Sequence, residues 1–207
     1  MKGVVAVAGV LAALLWPETS IAQPRNPDSD WPCQQTLVPT LTAPMVWSGP
    51  SPEGLGDWHG EPGVAGLVGR IAPRAVPTAE GETAIQQFMR DVEGDRKRLI
   101  TLAFAGLLDE TNRQRSEVIQ RIKALAERQR NLANLVARLT TELDQTPAPA
   151  NPASPDAAPR ADLAQRLTFS SRAYNELQRT MRYACDVPGQ LDARLGAYAR
   201  ALAAGLS

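Results

Sequence analysis

The sequence predicts an all-α protein: a long antiparallel helical hairpin, coiled-coil-like, with a C-terminal helix and a Pro/Gly/Trp-rich N-terminal arm stapled by one disulfide. Three observations carry this reading. From Asp95 to about Gln145 no proline interrupts the chain, and apolar residues recur there at steps of four and three. A proline-alanine segment follows, and a second stripe with the same spacing begins beyond it. The only two cysteines, Cys33 and Cys185, stand in opposite halves of the chain.

The first element is a leader. Lys2 precedes an apolar run from Val4 to Trp16, Pro17 and Glu18 break it, and Ser20-Ile21-Ala22 places small residues before Gln23. That order is expected of a secretory signal peptide over residues 1–22, cleaved after Ala22. A run of about 13 residues falls short of the roughly 20 that span a bilayer. The mature form is therefore expected to have no membrane span, and to be periplasmic or secreted. The residue directly after the cleavage point is Gln23 and not a cysteine, so no lipid anchor is suggested. In such an oxidising space a lone pair of cysteines reads as a disulfide, here Cys33 with Cys185.

Charge excludes two partner classes. Lysine plus arginine equals aspartate plus glutamate, 22 against 22. A balanced chain lacks the basic face that nucleic acid selects and the polybasic segment that anionic lipid selects.

Residues 23–77 form the arm. Its prolines remove backbone donors and forbid a long helix. Thr36 to Thr42 has the makings of a short edge strand, limited by Pro39. The one helix expected runs from Glu61 to Ile71, with Pro62 in its first turn and Val64, Leu67, Val68 and Ile71 on one face. Trp31, Trp47 and Trp58 all fall in this arm. They read as anchors packing it onto the helices, and also as partner-contact candidates, since tryptophan is enriched at binding hot spots.

Residues 78–145 carry a helix from Thr78, a break near Gly94, and then the long helix. Within the long helix Ile122, Gln129, Val136 and Leu143 fall at heptad position a, and Val118, Leu125, Leu132 and Leu139 at d. Gln129 is the one polar a residue. N-terminal to this seam, Ala103, Ala105 and Gly106 make a small-residue stretch suited to close approach of another element. Arg96-Lys97-Arg98 reads as a solvated basic run. Residues 146–159 are the Pro/Ala linker that reverses the chain. In residues 160–207 the returning helix carries Leu163, Leu167, Ser170, Tyr174, Leu177, Met181 and Ala184, and Pro188 is expected to end it and start a C-terminal helix. The matched second seam favours a hairpin within one chain, although Val and Ile at a with Leu at d also suit a homodimer.

Chemistry-bearing motifs are few. His59 is the only histidine, so histidine-rich metal sites are excluded. No Cys-x-x-Cys occurs, and Gly54-Leu55-Gly56 lacks the third glycine of a phosphate-binding loop. Asp57-Trp58-His59-Gly60-Glu61 sets two carboxylates beside the histidine, which makes Asp57, His59 and Glu61 weak candidates for a metal or small-ligand site. No cofactor is expected. The function expected is that of an exported, non-enzymatic interaction, scaffold or accessory protein that binds a protein partner in the cell envelope. The alternative is a small-ligand or metal-binding module built on the 57–61 loop.

Overall fold

The structure, a computed structural model, describes residues 30–151 and 157–206. The expected signal peptide, its cleavage point and residues 152–156 of the linker lie outside the described residues. Among those described there are helices and turns and no strand. The elements are α1 (Ala43–Val46), a 3-10 turn (Trp58–Gly60), α2 (Pro62–Ile71), α3 (Thr78–Asp91), α4 (Arg96–Gln145) and α5 (Ala158–Ala203), followed by a last 3-10 turn (Ala204–Leu206).

Local sequence explains most boundaries. Pro62 sits in the first turn of α2, where its missing N–H is not needed. Gly94, with φ +86°, separates α3 from α4. The Asp95 side chain then caps α4 by accepting the Arg98 N–H at 3.0 Å. At 50 residues, α4 is about 75 Å long at 1.5 Å per residue.

Three contacts show that α5 runs back along α4. At the turn, Arg160 Nη1 donates to the Leu143 carbonyl at 2.6 Å and also to that of Thr146. Midway, Arg115 Nη1 donates to the Pro188 carbonyl at 3.3 Å. At the open end, Arg96 Nε donates to Gly205 at 3.3 Å. Arg160 also answers a local need: α4 has no basic residue in its own last turn, and its last carbonyls need donors from elsewhere.

The core has two centres. A head is built where α2 and α3 pack on the first third of α4 and the end of α5, around Val68, Ile85, Ile100, Phe104, Leu195 and Leu202. A second, smaller cluster gathers Trp31 and Cys33 of the arm with Val118, Ile122, Met181 and Leu191. Beyond it, among the described residues, the two helices continue as a blade. There Leu139, Leu163 and Leu177 are buried, while Leu132, Val136, Leu143, Leu167 and Tyr174 are half-buried. Two helices share one seam, and among the described residues no third element covers its flanks. Gln129 is half-buried in that seam.

The small-residue stretch in α4 receives Trp58 and α2. A Cβ on Gly106 would lie 2.8 Å from Trp58 Cδ2 and 2.9 Å from Val68 Cγ2, so the approach requires glycine.

Three expectations are corrected. Pro188 does not end the returning helix, because α5 is continuous from Ala158 to Ala203. An interior proline removes one N–H and crowds the preceding turn, at about 3 kcal/mol. That turn is held from outside the helix. Gln35 Nε2 donates to the Cys185 carbonyl, Arg115 reaches the Pro188 carbonyl, and a disulfide pins Cys185. Thr36 to Thr42 forms no strand, since the fold offers it no partner strand. Instead the Asn112 side chain imitates one: Leu41 N–H donates to Asn112 Oδ1 at 2.9 Å, and Asn112 Nδ2 donates to Leu41 O at 3.0 Å. The linker's last proline, Pro159, is already inside the first turn of α5. In the basic run Arg96 and Lys97 are exposed, as expected, and Arg98 is half-buried; Arg96 also donates to Met89 O and Arg98 pairs with Glu61.

Candidate functional site

The staple forms as expected. Cys33 and Cys185 are joined, 152 positions apart in sequence, with their Cα atoms 5.6 Å apart. Around it the arm meets both long helices, and Arg115 is the polar centre of that junction. Arg115 is 2% exposed. Its guanidinium donates to Asp192 and the Pro188 carbonyl on α5 and to the Val38 carbonyl on the arm. Its Nε is buried without a partner. Burial pushes the Asp192 carboxyl up, and the adjacent Arg115 offsets part of that. Gln114, one residue earlier, donates to the Ala72 carbonyl at 2.9 Å, which ties α4 to the end of α2.

The three arm tryptophans meet different surroundings. Trp31 is 6% exposed, and its indole N–H donates to Gln35 O at 2.7 Å. Trp47 is 9% exposed, stacks on Phe104 with centroids 4.3 Å apart, and donates to Pro50 O at 2.7 Å. Trp58 is half-buried, donates to Asp109 Oδ2 at 3.2 Å and stacks on His59. Trp31 and Trp47 are thus buried in the protein's own core, whereas Trp58 keeps part of its ring at the surface.

The 57–61 loop does not converge as a ligand set. Asp57 Oδ1 lies 2.7 Å from His59 Nδ1 and accepts the His59 backbone N–H at 3.0 Å. Those bonds, the backbone one first, hold the Asp57 carboxyl below its ordinary value. Glu61 turns away and pairs with Arg98 at 2.7 Å. Among the described residues no group of three or more His, Cys, Asp and Glu side chains is arranged to hold a metal ion.

Two surface features were not singled out by sequence pattern. Phe169 and Tyr183 on α5 are 58% and 76% exposed. They are two heptads apart, so they share a face, and that face lies outside the stripe that packs on α4. Exposed Arg172 and Arg179 lie between them. Both aromatics fall outside the four-three stripe of α5, and that phase was the available signal. Arg115 likewise stands one heptad before Ile122, a charged residue at an apolar position.

No protein-family model, no curated protein and no solved structure matches this chain. No helix among the described residues is long and apolar enough to cross a membrane. That fact and the disulfide are compatible with an exported protein.

Proposed function

We propose that this is an exported, non-enzymatic interaction or scaffold protein of the cell envelope, periplasmic or secreted after cleavage following Ala22. The hairpin acts as a coiled-coil-like spacer that holds a protein-binding face away from the head. The observation that carries this reading is the α5 stripe, where Phe169 and Tyr183 are exposed on a rigid helix with arginines between them. Exposed aromatics flanked by arginine suit a protein partner that offers apolar and acidic side chains. The stapled arm supports it too, since a proline-rich segment with little core of its own needs a covalent tie in an oxidising space.

The test is photo-crosslinking in living cells, with the crosslinker placed at Phe169 or Tyr183 and, as control, at exposed Thr141 of α4. The proposal expects the same discrete envelope-protein adduct from both α5 positions and none from position 141. A second copy of this chain in the adduct would make the partner a homodimer mate. A full-length, uncleaved chain retained in the cytoplasm with reduced cysteines would refute the reading.

A further inference from the structure

We infer that the cleft between residues 74–78 and α5 is a binding site for a small organic anion, its charged head on Arg74 and Arg194 and its apolar body on Val76 and Leu191. This is independent of the proposed partner face, which lies on another part of α5.

The cleft encloses about 260 Å³. Polar groups in its lining are the guanidiniums of Arg74 and Arg194, the Thr78 hydroxyl and the Gln190 amide, and no lining residue is a carboxylate. Two like charges that line one cleft without a counter-charge repel, and a bound anion relieves that.

Arg194 is fixed before any ligand arrives. Its Nη2 donates to the Ile71 carbonyl and, at 2.8 Å, to Pro73 O, while its Nε donates to the Tyr198 hydroxyl at 3.0 Å. Its guanidinium carbon lies 5.3 Å from the centre of the Tyr198 ring. These contacts use Nε and Nη2 and leave Nη1 open. Arg74 is exposed and makes no bond within the described chain. A held guanidinium that lines the same cleft as a free one suits a planar anion, because the first sets position and the second can close on the ligand.

Val76, Val187 and Leu191 give the cleft an apolar wall. The volume is below the range of about 300–1,000 Å³ typical of drug-sized ligands. The ligand is therefore small: a carboxylate or phosphate with a short aliphatic body. That chemistry has two sources, a free organic acid or the terminal carboxylate of a protein chain.

The experiment follows backbone amide shifts of the full mature protein by NMR. The probes are sodium pentanoate, inorganic phosphate, and a short peptide ending in leucine, as free acid and as amide. The proposal expects saturable shifts at residues 74–78 and 187–194 with pentanoate or the free-acid peptide, and none with the peptide amide. Arg74→Gln should weaken binding roughly tenfold or more, while Arg138→Gln, which removes the same charge from an exposed site on the blade, changes it by less than about twofold. Tighter binding of the free-acid peptide than of pentanoate assigns a chain end; the reverse assigns a free acid. No saturable shift with any anion overturns the proposal, as does equal binding by Arg74→Gln.

Discussion

Removing the staple tests how the arm is held. The cleanest perturbation is the double variant Cys33→Ser with Cys185→Ser, because either single change leaves a thiol able to pair between molecules. Chain-entropy arithmetic for a loop of 152 residues gives about 5 kcal/mol as the upper estimate of the stability lost. The fold reduces that figure, because the arm has other ties. Val38 O is held by Arg115, both backbone groups of Leu41 pair with Asn112, and Trp47 is stacked on Phe104. Those ties survive in the variant, so residues 38–47 should keep native order, while residues 30–37, left with only the packing of Trp31 and the Gln35 bond to Cys185 O, should loosen. Freedom gained there by the native state lowers the expected loss to about 2–4 kcal/mol. The assay is urea unfolding by far-UV circular dichroism, with hydrogen exchange resolved to the arm. Helix content should be unchanged, protection at residues 30–37 should fall, and protection at residues 41–47 should persist. A loss below about 1 kcal/mol with unchanged protection at residues 30–37 would refute the reasoning.

Arg115→Ala should destabilise by about 2–4 kcal/mol in the same urea experiment, because it leaves half-buried Asp192 and two carbonyls without their donor. Gly106→Ala should lower stability by about 1–3 kcal/mol, since the new methyl meets Trp58 and Val68, and the loss should appear as a reduced melting temperature. Glu110 gives a pH effect. Hydrogen bonds from Arg113, then from Gln114, hold its folded pKa below the ordinary 4.5, although burial opposes them. Its stabilising contribution is thus present above the unfolded value and lost as pH falls through the folded one. Glu110→Gln should therefore show a shallower loss of stability than the native chain between about pH 5 and pH 3; identical acid profiles would contradict this.

The hairpin was legible because a helical seam repeats locally. Val118 through Leu143 and Leu163 through Ala184 each state their own phase, and a linker between matched stripes leaves few ways to pair them. The staple was legible from the expected signal peptide and from there being one possible pairing of two cysteines. What escaped depends on residues far apart in sequence. Pro188 stays inside α5 because Gln35, Arg115 and Cys33 support its turn from distant positions. Nothing near Thr36–Thr42 foretells that Asn112 will satisfy its backbone. Glu61 was grouped with His59 by adjacency, yet Arg98 claims it across the fold. The loop's chemistry was therefore less legible than the scaffold, because side-chain pairing depends on tertiary geometry that spacing alone does not encode.

The most direct test of an exported, stapled hairpin is non-reducing peptide mass mapping of the protein recovered from its native cells. The account predicts a mature chain beginning at Gln23 and a cross-linked peptide pair containing Cys33 and Cys185, with no free thiol. A chain still carrying residues 1–22 with both cysteines reduced, or a disulfide joining two molecules, would contradict it.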